Sequence, residues 1–261
     1  MPLNYTQTIT RQSTGLINVD KSLHELWIPP ASPHACDDEF DGISWHAIST
    51  IWSRTRFDDL NAMDPYSSFA SGGARWSLTW RPGWLMVQPD CSNPWHSNWS
   101  TLTQTVSATN LAILVRGAFG FRYNSSAGYG DYRLGLRLQT ADWATLVLQM
   151  NANFGFAAGA IYTLWEYYDG AWHWVNPTGN VITTGQPFEY WLIQKRNTTY
   201  GGWSSSDQAQ WVYLGQVGPI TGTTDRVTLF FANGTATATP GNPMMGVDFI
   251  RFKEDATSWP P

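Results

Sequence analysis

From Asp37 onward the chain is written in short apolar or alternating runs, cut by clusters of Gly, Asn, Asp and Pro. Runs of this length that are rich in Val, Leu, Phe, Tyr and Trp are strand text. The pattern predicts strands at "GWLMVQ", "LAILVRGAFGF", "DYRLGLRLQ", "ATLVLQM", "IYTLWEYY", "AWHWVN", "EYWLIQKR", "QWVYLGQV", "RVTLFFA" and "GVDFIRF". No segment sustains the period of an amphipathic helix. About ten strands without intervening helices predict an antiparallel sandwich or barrel rather than a parallel α/β sheet.

One hairpin can be worked out residue by residue. In "TLWEYYDGAWHWV" the pair Asp169-Gly170 separates two strands, and this dipeptide favours a two-residue type I′ turn. That register sets Trp165, Tyr167, Trp172 and Trp174 on one face and brings Glu166 opposite His173 on the other. The four aromatics form either a dense piece of core or a stacking platform, and the polar opposite face favours core. Glu166 and His173 then read as an exposed cross-strand ion pair rather than an acid/base pair.

Before these runs the text differs. Residues 1–35 are rich in Thr, Gln, Ser and Asn and end in "ELWIPPASPH", whose paired prolines impose an extended connection. The stretch reads as a docking arm, with Leu26, Trp27 and Ile28 as its apolar contact. The expected organisation is an arm at 1–35, a sandwich at 36–254 and a tail at 255–261.

Composition narrows the function. At 261 residues the chain has room for one large all-β domain with a sizeable core. Only 13% of residues are charged, 15 basic against 20 acidic, which leaves no basic stripe for nucleic acid. Sixteen Trp, eleven Tyr and twelve Phe exceed what a core of this size needs, so surface binding is the first expectation. The N-terminal text lacks the basic start and apolar run of a secretory signal, and no apolar run approaches the roughly 18 residues of a membrane span. Asn4, Asn98, Asn124, Asn197 and Asn233 each begin an Asn-x-Ser/Thr triplet, which without an export signal reads as polar loop chemistry. Cys36 and Cys91, with His34 and His96 beside them, match no usual zinc spacing; a single disulfide or two thiols are the simpler alternatives.

The C-terminal third carries a resemblance. "EYWLIQKRNTTYGGWSSSDQAQWVYLGQV", then "RVTLFFANGTATATPGNPMMGVDFIRF", resembles concanavalin A-like (laminin-G-like) jelly rolls in its basic-Asn strand end, Ser-x-Asp turn, Trp, "LG" strand and closing Val-Asp-Phe-x-Arg. "DDEFDG" is similar to the opening strand of the same superfamily, which includes family sixteen glucanases and the sandwiches appended to bacterial xylosidases. The resemblance covers residues 36–254 and implies a two-sheet antiparallel jelly roll. Within it, Ser206 and Asp207 form a hairpin turn and Trp211 anchors the next strand.

The glucanases of that superfamily carry a Glu-x-Asp-x-Glu or Glu-x-Asp-x-x-Glu run, because retaining hydrolysis needs two carboxyl groups about 5 to 5.5 Å apart. No such run occurs here. "WEYYDG" is the nearest, but Glu166 and Asp169 differ by an odd number of positions and cannot share a face. Nor is there a Gly-x-Ser-x-Gly elbow, a His-Glu-x-x-His or a phosphate loop. The expectation is that the chain is not an enzyme. The resemblance also implies a structural calcium, with Asp37, Asp38, Glu39, Asp41 and Asp248 at the matching positions; hard oxygen ligands suit that ion. In a regular strand Asp248 shares a face with Ile250 and Phe252 and needs a cation or an Arg as partner, the alternative being backbone donors.

Two functional classes remain. The first is a bacteriophage virion component, a capsid decoration, head-fibre or tail appendage, held by its arm to capsid or tail proteins and gripping host polysaccharide. It would be made in the host cytoplasm, and a homo-oligomer fits such an appendage. The second is a secreted carbohydrate-binding module of a polysaccharide-degrading system, acting extracellularly. Neither involves nucleic acid or membrane insertion. In both, the sugar-stacking residues are sought among aromatics in loop-like text: Trp95, Trp99, Tyr129, Tyr200 and Trp203.

Overall fold

A computed structural model describes residues 34–41, 51–57, 74–89, 99–120, 132–141, 147–155, 160–175, 180–182, 188–205, 208, 210–220, 224–233 and 244–254. Their strands form two antiparallel sheets, and none of the described residues is helical. The eight-stranded sheet runs, in spatial order, β1 (Ser53–Thr55), β4 (Ser100–Thr105), β14 (Arg226–Asn233), β6 (Tyr132–Gln139), β7 (Val147–Gly155), β8 (Ala160–Tyr168) and β10 (Asn180–Ile182), with β9 (Trp172–Trp174) also paired to β8. The seven-stranded sheet runs β13 (Val212–Val217), β12 (Thr199–Ser205), β11 (Phe188–Arg196), β5 (Asn110–Gly120), β15 (Met244–Glu254), β3 (Leu85–Gln88) and β2 (Arg75–Ser77). β14 enters between β4 and β6, and β5 lies between β11 and β15, so these sheet neighbours are far apart in sequence, whereas β6–β7–β8 and β11–β12–β13 pair in chain order.

The core lies between the sheets. Leu134, Leu136 and Leu138 of β6 and Val227, Leu229 and Phe231 of β14 meet Leu111, Ile113 and Val115 of β5 and Trp191 and Ile193 of β11. Period-two alternation sends the intervening residues outward. On β5 the outward Ala112 and Leu114 are buried as well, in a second cluster with Tyr190, Leu192 and Phe249, which explains why β5 reads as a nearly unbroken apolar run. Gly117 makes room for the core ring of Trp191, since a Cβ there would stand 2.5 Å from Trp191 Cη2 and 2.9 Å from Leu134 Cδ2.

Each of the ten runs read from the sequence contains a strand. The pattern missed β1, β2, β4, β10 and β12. β4 is "STLTQT", with Leu102 as its one large apolar side chain; its inward Ser100 and Gln104 bond the carbonyls of Arg56 and Cys36 instead. β12 is "TYGGWSS", whose glycines and serines read as loop although the strand pairs on both sides. The expected arm (residues 1–35) and tail lie outside the described residues except for His34 and Ala35, which belong to a strap at 34–41 bridged to β15 through Asp38 and Ile250.

Candidate functional site

The β8–β9 hairpin does not take the two-residue turn. The observed pairs are Tyr168 with Trp172, Tyr167 with His173 and Glu166 with Trp174, so the loop is Asp169, Gly170 and Ala171. Gly170, at φ 111°, supplies a conformation that a side chain would resist. One extra loop residue moves every β9 side chain to the opposite face. Trp165 is fully buried and Tyr167 packs beside it on the core, while Trp172 and Trp174 turn outward with Glu166 and Tyr168. Trp174 is 65% exposed and Trp172 45%. The expected core quartet is therefore corrected to two inward and two outward aromatics. The expected Glu166–His173 pair is replaced as well: His173 Nε2 meets Asp169 Oδ1 at 2.9 Å and its ring stacks on Tyr167, whereas Glu166 lies 4.0 Å from Arg133 Nη1.

Behind β9 the outer face of the eight-stranded sheet forms a continuous row. Register sets Trp174 beside Glu166, then Gln149, Arg137, Thr228 and Thr103. Five inter-strand steps of about 4.8 Å make the row ~24 Å long. Arg137 holds its guanidinium 3.7 Å over the ring of Trp99 and 4.4 Å over that of Phe230, and these two rings stack at 4.9 Å. Burial pushes Arg137 down to about 9, with Glu166 acting to raise it and Arg133 to lower it; it still carries its charge at neutral pH. Thr103 and Thr228 hydroxyls bond each other at 2.9 Å further along. In this strip Glu166, Thr228 and Phe230 are buried, and the open surface is offered by Trp172 and Trp174, whose flat rings are able to stack on a polyhydroxylated chain.

A second set of exposed apolar groups adjoins this strip. Of the five large apolar side chains most exposed among the described residues, four, Trp172, Trp174, Val212 and Tyr213, belong to β9 and β13. The two edges meet where Val175, just after β9, presses on Gly215 of β13; a Cβ at Gly215 would stand 2.7 Å from Val175 Cγ1.

The glycan candidates chosen from loop-like text fare differently. Trp95 and Tyr129 lie outside the described residues, as do Leu26, Trp27 and Ile28 of the docking arm. Trp99 is half-buried at the start of β4 and braces Arg137. Tyr200 is corrected: it is a fully buried core residue of β12, its hydroxyl 3.2 Å from that of Thr224. Trp203 is also a strand residue, its ring over Gly201 and tilted against Tyr213 at 5.2 Å. The loop expected there is shorter, a turn at Asn197 and Thr198 with Asn197 at φ 51°. Trp211 anchors its strand as expected, packed on the Tyr190, Leu192 and Phe249 cluster; Ser206 and Asp207 lie outside the described residues. Trp172, Trp174 and Tyr213 were missed as exposed groups, because their faces depend on a turn length and a bulge.

Of the five carboxylates expected at a calcium site, four are engaged by protein donors. Asp37 accepts from the backbone N–H groups of Phe252 (2.7 Å) and His34 (2.9 Å), and Asp38 from Phe40 N and Trp52 Nε1, both at 2.8 Å. Glu39 takes a two-pronged contact from Arg251 at 2.6 and 3.1 Å. Burial raises Asp37 and Asp38 above the ordinary value of 3.8, against the lowering effect of those donors. Asp248 is corrected in its facing: a bulge between Val247 and Phe249 puts it on the outer side, away from Ile250 and Phe252, where it meets Arg116 Nη1 at 2.9 Å with both groups buried. Among the described residues no three His, Cys, Asp or Glu side chains are grouped to hold a metal. Asp37, Asp38 and Glu39 instead pin the strap at 34–41 to β15 and to Trp52. His34 joins them through Glu254, at 3.1 Å, and Cys36 is a free thiol; Cys91 and His96 lie outside the described residues.

Neither a family model nor a curated protein matches the sequence. Solved structures do resemble the fold. A xylan β-1,4-xylosidase from Bacillus halodurans aligns over 86% of this chain and 40% of its own, at 14% identity and a TM-score of 0.56. An endo-1,3-β-glucanase from Streptomyces sioyaensis aligns over 86% and 97%, at 15% identity and 0.54. The CBM2 module of the evolved Dit protein of Lactobacillus casei phage J-1 aligns over 84% and 95%, at 12% identity and 0.53. The chain thus spans about two fifths of the xylosidase's length. The fold is the concanavalin A-like jelly roll that the sequence resembles. The expectation that the chain is not an enzyme is corrected by these neighbours: two of the three are glycosidases, so the missing glucanase motif no longer assigns it a non-catalytic role.

Proposed function

We propose that the protein recognises polysaccharide, laying the chain along the outer face of the eight-stranded sheet from Trp172 and Trp174 toward Arg137 and Thr103. The observation that carries this reading is the outward pair of tryptophans on β9, too exposed to serve the core and continuous with a polar strip. Exposed Trp and Tyr rings give large, rigid contact area with a polar edge. Glycosidases and a phage CBM2 module among the structural neighbours support a glycan ligand.

Within that reading we favour a bacteriophage virion appendage engaged in host adsorption, with residues 1–35 attaching it to a capsid or tail protein. The phage module and the polar, proline-ended text of residues 1–35 support it. An extracellular module of a polysaccharide-degrading system is the second reading, supported by the xylosidase neighbour.

A glycan array followed by titration of the best ligand tests the proposal. Trp172→Ala and Trp174→Ala should each weaken binding about tenfold or more, as loss of an interface anchor does, with little change in melting temperature. Unchanged affinity in both variants would remove the hairpin from the site. The bound polymer is also followed for new reducing ends. Glu166 is the one carboxylate among the described strand residues of this face, and Glu166→Gln should abolish any turnover seen.

A further inference from the structure

Among the described residues, the one large apolar side chain as exposed as those of β9 and β13 is Trp80, at 46%. It lies at the far side of the molecule from them. The seven-stranded sheet has β13 at one edge and β2 at the other. Val175, one residue beyond β9, packs on Gly215 of β13, so Trp172 and Trp174 belong to the β13 edge, whereas Trp80 sits in the connection from β2 to β3. Six inter-strand steps of about 4.8 Å separate the two edges by ~29 Å.

The connection that carries Trp80 is fixed at both ends. At its start the buried Ser77 Oγ accepts from the backbone N–H groups of Thr79 (3.2 Å) and Trp80 (2.9 Å). At its end the Trp84 N–H donates to the Arg81 carbonyl at 3.0 Å and Gly83 takes φ 76°, a type II turn with Pro82 and Gly83 at the positions that favour them. Behind it the Arg81 guanidinium stacks 3.8 Å over the ring of Trp84, which is buried with Met86 and Ala118. A Cβ on Gly83 would meet nothing within 4 Å, so the turn faces open space on that side. Trp80 joins none of the buried apolar clusters. A backbone held in this way has little freedom left to lose when its ring takes up a ligand.

The size of the feature selects the occupant. One tryptophan buries about 150 to 250 Å², far below the ~800 Å² per partner of a stable protein interface. A single ring flanked by the exposed Thr79 and Pro82 suits one sugar unit instead. We propose that the β2–β3 turn is a second glycan-binding site, with Trp80 as its stacking residue, and that the protein is bivalent for polysaccharide through opposite edges of the sandwich. The inference rests on the glycan reading above and extends it to a second site.

The test uses the full chain with laminaritetraose and xylotetraose, each too short to reach between the edges, and with the polymers laminarin and xylan. Should neither tetrasaccharide bind, one cut from the best polymer on the array replaces them. Native mass spectrometry at saturating tetrasaccharide should count two bound molecules on the unmodified protein. It should count one on Trp80→Ala and one on the Trp172→Ala, Trp174→Ala double variant, with melting temperatures unchanged. Linked sites raise polymer affinity by about 10² to 10⁴, so Trp80→Ala should weaken polymer binding at least tenfold while leaving tetrasaccharide affinity at the hairpin unaltered. The count on the unmodified protein requires no variant. One tetrasaccharide on the unmodified chain, or two on Trp80→Ala, would overturn the second site and leave the hairpin reading standing. Two on the double variant would overturn the hairpin reading instead. Absence of binding to these sugars and to every array glycan would overturn both.

Discussion

Asp248→Asn isolates the buried ion pair on the outer side of the seven-stranded sheet. The Asp248 and Arg116 side chains are 1% and 4% exposed, with 2.9 Å between Oδ2 and Nη1. Removing one charge of such a pair leaves the other buried and uncompensated, which costs about 3 to 5 kcal/mol. Asn keeps the shape and one acceptor oxygen, and the rings of Tyr190 and Trp84, 5.2 and 5.6 Å from the guanidinium, continue to face the cation. The lower end, about 3 kcal/mol, is therefore expected, a fall of roughly 6 to 12 °C in melting temperature at about 2 to 4 °C per kcal/mol for a domain of this size. Urea unfolding followed by Trp fluorescence, with calorimetry, reads the change. Asp248→Leu combined with Arg116→Met should recover most of the loss, since an apolar pair of similar volume replaces buried charges at little cost. A loss within about 0.5 kcal/mol of zero would refute the buried-pair reasoning, that being the scale of a surface substitution. So would calcium raising the melting temperature of the unmodified protein but not of Asp248→Asn, because Asp248 would then answer a cation.

Three further outcomes follow from the packing and the titrating groups. Gly117→Ala should destabilise by about 1 to 3 kcal/mol through collision with the Trp191 ring and Leu134, read by urea unfolding; no loss would mean that the sheets separate at little cost there. Tyr200→Phe should cost about 1 kcal/mol for the hydroxyl contact with Thr224 and leave glycan affinity unchanged, whereas an affinity loss would return Tyr200 to the binding surface. Asp37 and Asp38 have folded values raised above 3.8, so their contribution to stability is fully present below that pH and declines as pH rises through the raised values. Asp38→Asn should flatten that part of the decline in unfolding free energy across the mildly acidic range, and an unaltered pH slope would show that Asp38 is not desolvated.

Strand existence was legible wherever side chains alternate strongly. β6 and β14 could be read directly, because Leu134, Leu136 and Leu138 and Val227, Leu229 and Phe231 mark one face without interruption. β4 and β12 were not legible, since their inward positions are held by hydrogen bonds, small residues and neighbouring strands rather than by apolar bulk. The resemblance in the C-terminal third led to the right fold because its strand residues pair in register in β11, β12 and β13. Facing was harder. Asp248 changes side through one bulged residue, and Trp172 and Trp174 through one additional loop residue, each a shift that leaves the apolar pattern intact. Arg137 was missed for another reason: its neighbours Trp99 and Phe230 come from β14 and the entry to β4, so the stack exists only after sheet assembly.

A crystal structure of the protein with an oligosaccharide drawn from the best-binding polymer would locate the bound chain. Sugar rings should stack at Trp172 or Trp174 and continue across Glu166 toward Arg137 on the eight-stranded sheet. Sugar bound instead on the seven-stranded sheet, with that row untouched, would contradict that placement.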